Sequence, residues 1–386
     1  MIVVEVQGGT GSAATLTSTT TASMVGDENL KALEFYSGIG GLHLALSRSS
    51  VNASIESAFD WDQNACKVYE ANHGRGVVER VNISTLTATK LARYEAEMWL
   101  LSPSCQPYTV LNPNAKGDLD PRAKSFLHLI QNVLPEMAQT KSHPSYLLVE
   151  NVAGFETSST HSILLETLRR IGYHTAEFLL TPLQFGVPNS RLRYYLLARK
   201  SVPFSCSEEV QSSIPGLPEV HVPEIGYYLD EPELVSEGEG ESWHPHAVPD
   251  RVLKKWGRLF DIVLPSSRRT CCFTRGYTQL VERAGSIIQM NESLDTTTTF
   301  DSFLAIDDQD EAIKILYPLK LRYFSPTELL RLFAFEDDGF HFIWPRDISR
   351  KTKYRLIGNS VNVRVVKELI EYLCHATNLL CNTTVV

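Results

Sequence analysis

The sequence predicts an α/β protein built on a mainly parallel sheet with helices on both faces, and three observations carry that prediction. Short apolar runs alternate with segments of helical period from about residue 30 to residue 200, the pattern of successive βαβ units. Several of those runs stop at glycines, prolines or acids, as expected where strands deliver loops to one edge of a sheet. The 386 residues also leave room for a second, smaller unit inserted into the first.

In chain order, residues 1–28 are rich in Ser, Thr, Gly and Ala without a sustained period and read as a disordered extension. They hold no basic residue, so neither a secretory signal nor a transit peptide is expected. Strands are expected at residues 32–36, 54–59, 98–101, 146–149, 175–180 and 194–198, with helices at 42–48, 63–72, 123–137 and 162–171. From 201 to 250 the chain has many prolines and acids and no Lys or Arg, which reads as irregular structure or an exposed linker. The sign then reverses with Arg251, Lys254, Lys255, Arg258, Arg268, Arg269, Arg275 and Arg283, interleaved with Trp256, Phe273 and Tyr277. Cations for a phosphate backbone and aromatics for stacking suit a nucleic-acid face, with a solvated charged surface as the alternative. The Thr-rich, acidic stretch 291–311 is expected to be a loop. Ser325-Pro326-Thr327-Glu328 is a capping signal before a helix at 329–335, and a last amphipathic helix is expected at 361–378.

Composition limits the function. With 36 basic against 45 acidic residues the net charge is −9, which excludes a uniformly basic coat and leaves a local basic face open. Seven cysteines, an odd number without a CxxC pair, suggest reduced thiols in cytoplasm or nucleus and no metal site. No apolar run approaches the roughly 18 residues that a membrane span needs, so no membrane partner is expected.

Four stretches carry chemistry. Tyr36-Ser37-Gly38-Ile39-Gly40-Gly41 is a glycine-rich turn between a strand and a helix, either a cofactor loop or a tight structural turn. Asp60-Trp61 follows the second strand, where an acid would grip a ribose and an indole would face an adenine; a helix cap is the alternative for Asp60. Cys105 lies between Pro103 and Pro107 at the end of the fourth apolar run, a candidate nucleophile set against the packing role of a small buried side chain. Glu150 closes another apolar run, where desolvation would keep it protonated, and Arg191 and Arg193 alternate along an extended segment able to clamp a carbonyl, a phosphate or a carboxylate.

Together these stretches resemble the cytosine-C5 methyltransferase family, with motifs in the family's order from about Lys31 to Cys374. The carrying residues are Phe35 to Gly41, Ser102-Pro103-Ser104-Cys105-Gln106, Glu150-Asn151-Val152, Arg191-Leu192-Arg193 and Gly358-Asn359-Ser360-Val361. The chain is most similar to the type-2 members, which methylate cytosine-38 in the anticodon loop of tRNA-aspartate, through Glu150 to Ser159, Cys272 to Tyr277 and Arg355 to Val363. The resemblance implies a Rossmann-like methyltransferase fold that binds S-adenosylmethionine. Its divisions would be a catalytic domain at 29–200, a target-recognition domain at 201–345 and a completing segment at 346–386.

It also implies site residues. Cys105, Glu150, Arg191 and Arg193 would be catalytic. Tyr36, Ser37, Gly38, Ile39, Gly40, Gly41, Asp60, Trp61, Asn82, Ile83, Ser102, Asn359, Ser360 and Val361 would bind cofactor. Gln106, Arg268, Arg269, Cys272, Phe273, Thr274, Arg275 and Tyr277 would meet the substrate, a tRNA, with a monomeric enzyme expected. Two departures stand out: Ser104 replaces the family's second proline, and Asn82 stands where the family often has an acid. The alternatives are DNA as substrate, a silent nucleic-acid-binding member on account of Ser104, and a nicotinamide oxidoreductase, which the Gly-x-Gly-Gly spacing disfavours.

Overall fold

The computed structural model describes residues 29–375 except 107, 109–119, 207–208, 232–242 and 338. The expected N-terminal extension at 1–28, and the expected end of the last helix beyond 375, lie outside the described residues. Seven strands form the main sheet: β1 (Leu30–Phe35), β2 (Ala53–Asp60), β3 (Val78–Arg80), β4 (Met98–Leu101), β5 (Tyr146–Val152), β6 (His174–Leu180) and β7 (Arg193–Arg199). Their order is β3-β2-β1-β4-β5-β7-β6. Pairs from β3 through β5 are parallel, while β7 runs antiparallel to both β5 and β6.

This order creates the site. The chain winds outward from β1 to β2 and β3, then returns to start β4 on the other side of β1, so the crossovers part between β1 and β4. Ligands in open α/β sheets bind at such a switch point, outside the carboxyl ends of the strands. All four residues of β4 are buried, as expected of a strand covered on both faces.

Alternation along the strands sorts side chains into two buried layers. Leu33, Phe35, Trp99, Leu101, Leu147 and Val149 lie in one layer with Phe126, Leu129 and Leu164 from the covering helices. Ala32, Met98, Leu100 and Leu148 lie in the other with Leu42, Val68 and Leu369. Each large side chain fully buried in this way, such as Trp99, stabilises the fold by about 2–3 kcal/mol. A small second sheet, β8 (Ile262–Val263), β9 (Ile287–Gln289) and β10 (Leu321–Arg322), is ordered β10-β9-β8. Its Ile287 and Ile288 join the layer that holds Leu42 and Leu369, so this part of the chain shares a core with the main sheet.

Two local expectations need correction, and some elements were not expected at all. The 291–311 stretch is not a loop: Thr296–Leu304 is a helix, because Asp295 accepts from Thr298 N and the pair Phe300 and Phe303 is buried one turn apart. Strand β3 was not expected, being only three residues long and too short for a period. The helix Arg350–Gly358, capped by Ser349, was likewise not expected. The expected helix 123–137 is in fact a 3-10 turn, an α-turn, a wide π-turn over Leu129–Val133 and a final α-segment carrying Pro135. Proline lacks the amide hydrogen a regular helix needs there, and the wider turn accommodates the lost bond. By contrast, the box at Ser325 and Glu328 forms as read, with both reciprocal bonds present.

Candidate active site

The glycine-rich turn leaves β1 at Phe35 and enters the helix Gly41–Arg48. Tyr36 holds φ +59°, and Gly38 and Gly40 hold φ +54° and +85°, so the turn reverses within a few residues. A side chain on Gly40 would collide with the His73 imidazole. Asp60 anchors the turn: its carboxylate accepts from Gly38 N at 2.8 Å and from Asp62 N at 2.8 Å. Beside it Trp61 is 75% exposed, an indole face left open at the end of β2. Asn82 caps the turn Ile83–Thr85 by accepting from Ser84 N at 3.0 Å, and Ile83 is buried. Ser102 N donates to Phe35 O at 3.3 Å and its Oγ donates to Tyr36 O at 3.1 Å, which ties the end of β4 to the glycine turn.

Whether these residues fit an adenosine-bearing cofactor can be judged from the turn itself. The Ser37 Oγ is buried without a partner among the described residues, an open face of Trp61 stands at the next strand end, and the acid between them suits hydroxyl donors. An unsatisfied hydroxyl inside a glycine turn costs about 1–3 kcal/mol, a cost that a bound polar group removes. The donors present therefore fit. Asp60 does more than the sequence suggested, since one of its oxygens fixes the backbone of the turn at Gly38 and the other holds Asp62 at the start of the next helix.

At the end of β4, Cys105 is half-buried. Burial pushes its thiol up, Arg193 pulls it down, Glu150 pushes it up again, and Arg191 and Arg275 pull it down; the balance leaves it above the ordinary thiol value. Glu150, buried at the end of β5, is also pushed up by burial against the pull of Arg193 and Arg191. Arg193 Nε lies 3.5 Å from Glu150 Oε1. Burial thus favours the neutral form at both groups, each within the field of guanidinium groups that favour the anion.

Three further bonds hold the cysteine loop. Asn151 Nδ2 donates to Pro103 O at 3.3 Å, Tyr108 N donates to Cys105 O at 3.0 Å, and Arg122 Nη1 donates to Gln106 Oε1. Arg122 is itself gripped by Asp120 at 2.8 and 2.6 Å. The role of Asn151 was not visible in the sequence, although its place directly after Glu150 was the available signal.

The structure separates the two arginines of the 191–193 segment. Arg191, 3% exposed, donates to Phe273 O at 2.8 Å, Gly358 O at 3.2 Å and Ser360 O at 2.7 Å. It works as a clip between distant parts of the chain. Gly358 must be glycine because a Cβ there would sit 2.2 Å from the Thr274 carbonyl carbon. Val361 is buried beside it, whereas Asn359 is exposed.

Two of the expected substrate contacts, Phe273 and Tyr277, need correction. Phe273 and Tyr277 are buried at 0% and 2%, packed edge-on at 5.1 Å, so they are core residues and offer no stacking face. Arg268 is paired with Glu224 and Val222 O, and Arg269 with Asp261, so their charges are engaged within the protein. Thr274 bonds the backbone of Ala284. Arg275 remains exposed and close enough to act on Cys105. Cys272 faces both arginines of the site. Among the described residues no group of three or more His, Cys, Asp or Glu could hold a metal, and no helix is long and apolar enough to cross a membrane.

Comparison with known proteins agrees in extent with this architecture. The family model for C-5 cytosine-specific DNA methylase matches residues 30–375. A tRNA (cytosine(38)-C(5))-methyltransferase of Schizosaccharomyces pombe is 39% identical over 92% of this chain and 100% of its own length. The Homo sapiens protein of the same description is 33% identical over 90% of this chain and 99% of its own. A crystal structure of DNMT2 from Spodoptera frugiperda, a mutant form, superposes with a TM-score of 0.77 at 34% identity, covering 89% of this chain and 99% of that one.

Proposed function

This chain belongs to the C-5 cytosine-specific DNA methylase family, and from that premise we propose that it methylates carbon 5 of cytosine-38 in the anticodon loop of a tRNA, with tRNA-Asp the first candidate. The observation that carries the reading is the convergence of Cys105, Glu150 and Arg193 beside the glycine turn at the β1/β4 switch point. S-adenosylmethionine, the family's methyl donor, would supply an electrophilic methyl group, and Tyr36 to Gly41, Asp60, Trp61, Asn82, Ile83, Ser102 and Asn359 to Val361 would hold it.

The chain's own residues do the rest. Carbon 5 of cytosine is a poor nucleophile until a group adds at carbon 6, and the Cys105 sulfur is placed to make that bond after losing its proton. Charge developing on the ring is relieved as protonated Glu150 donates at N3; once carbon 5 carries the methyl, its proton leaves to solvent, the sulfur–carbon 6 bond breaks to release Cys105, and the N3 proton returns to Glu150. Arg193 steadies Glu150, and Asn151 and Ser102 keep the cysteine loop against the sheet. A cytosine in an RNA loop costs less to extrude into such a site than one stacked in a duplex, which favours tRNA over DNA. The described cysteines are free, which supports a reducing compartment, cytoplasm or nucleus.

The test uses the full chain with labelled S-adenosylmethionine and tRNA-Asp transcript, a C38-substituted transcript and duplex DNA. Transfer is expected to the first alone and to vanish with Cys105→Ala. Equal labelling by wild type and Cys105→Ala, or preference for duplex DNA, would overturn the reading.

A further inference from the structure

Cys272 lies outside the nucleophile loop, yet its sulfur is where the two site arginines meet. Arg191 Nη1 donates to Cys272 Sγ at 3.4 Å and Arg193 Nη2 donates to it at 3.6 Å. The same Arg193 faces Glu150 at 3.5 Å, and the same Arg191 holds the 273 and 358–360 backbones. We propose that Cys272 is a positioning residue of the methyl-transfer site, its sulfur acting as the shared counter-group that aims Arg191 and Arg193 and limits how much of their charge reaches Glu150 and Cys105. The proposal rests on the reading of Cys105 as nucleophile and Glu150 as acid.

Charge counting supports it. Cys272 interacts with Arg191, Arg193 and its neighbour Cys271; the same two arginines interact with Glu150 from β5, with Tyr195 from the β7 segment and with Cys105 from the β4 loop, which Arg275 also reaches. The 358–360 segment adds carbonyl oxygens that Arg191 already uses. Two buried guanidiniums therefore face three acids: Cys105, Glu150 and Cys272. Burial pushes the Cys272 thiol up, but Arg191 and Arg193 outweigh it and hold it below the ordinary thiol value. Cys66, Cys105, Cys271 and Cys374 are all pushed the other way, by burial first in each case. The arginines thus hold the Cys272 thiol below its ordinary value, while the nucleophile's stays above it.

The division has a purpose that chemistry makes plain. With the Cys272 sulfur engaging both guanidiniums, less of their charge reaches Glu150, which helps it keep the proton it must offer to N3. Without it, both guanidiniums act fully on Glu150 and Cys105, and both groups ionise at lower pH. Loss of the Cys272 counter-group should therefore move the whole activity profile toward acid, since both of its limbs belong to the coupled pair of Cys105 and Glu150. A residue that only packs would scale the profile without moving it.

Two measurements test this on the full chain. The first is the pH dependence of kcat for tRNA methylation by wild type, Cys272→Ser and Cys272→Ala, with thermal melts to verify folding. Both variants are expected to lose kcat at least about tenfold at neutral pH with little change in KM for tRNA, and to shift both limbs about one unit toward acid. Profiles superimposable on wild type after scaling would overturn the proposal.

The second measurement needs no activity. Iodoacetamide alkylation of Cys272 is followed by peptide mass spectrometry across pH, in wild type and Arg193→Gln. The midpoint is expected below that of a free thiol, about 8.5, and to rise in Arg193→Gln. A midpoint at or above the free-thiol value, unmoved by the substitution, would overturn the proposal even if the chain methylates tRNA. A low midpoint in a chain that methylates nothing would instead count against the functional reading.

Discussion

Glu34 shows at the scale of one residue how the fold sets a charge. It lies on β1, fully buried, accepting from Tyr69 Oη at 2.9 Å and from His43 N at 3.3 Å, and burial pushes its carboxyl up to about 8. Because the folded chain keeps a proton there that the unfolded chain has released, stability falls as pH rises from the ordinary carboxyl range toward 8. Melting temperatures measured from about pH 5 to pH 8 should decline more steeply for wild type than for Glu34→Gln, which cannot ionise; parallel curves would refute this. Ser104 is the second residue-scale case. The sequence suggested a looser nucleophile loop without the family's proline, yet bonds from Ser102, Asn151 and Tyr108 fix the loop on both sides of it. Ser104→Pro is therefore expected to change kcat by no more than about fivefold, since proline's gain comes chiefly from a less free unfolded chain. A change of two orders of magnitude in single-turnover assays would show that the tertiary bonds do not substitute for it.

Elements depend on their ends as much as on their faces. The helix Thr296–Leu304 begins with a run of four threonines, poor helix formers, and is secured by Asp295 below and Phe300 and Phe303 against the core. Asp295→Ala should lower the midpoint of chemical denaturation, because the bond to Thr298 N is lost, while leaving methyl transfer intact. No loss would mean that aromatic burial alone orders this helix. At β5, the element delivers two functions at successive positions: Glu150 toward the reacting groups and Asn151 to the Pro103 carbonyl. One strand end thus supplies the acid and also holds the loop of the nucleophile.

At the scale of the molecule, Arg191 joins three stretches far apart in sequence: the β7 segment, the Phe273 backbone and the 358–360 turn. Arg191→Met keeps much of the volume but leaves three carbonyls without their buried donor. Unfolding in urea should register a loss of about 3–5 kcal/mol, and S-adenosylmethionine binding should weaken as the turn at 358–361 loosens. If stability drops and cofactor binding by calorimetry is unchanged, the clip serves the fold alone. Ion pairs between Arg355 and Asp62 and between Lys67 and Asp347 further bind the C-terminal stretch to the helix after β2.

By itself the sequence determined the α/β class, the strands that end at the site, the glycine turn, the cysteine loop and the Glu-Asn-Val strand end. These follow from local rules: periodicity, the φ freedom of glycine, the stiffness of proline, and the placement of polar residues directly after apolar runs. Tertiary structure decided what depends on partners remote in sequence. It reversed β7 between two neighbours, buried Phe273 and Tyr277 that had looked like stacking faces, and engaged Arg268 and Arg269 with nearby acids. It also made Arg191 a clip and set Cys272 between two guanidiniums. Burial and charge pairing are properties of the assembled chain, so a residue's type and neighbours in sequence cannot reveal them.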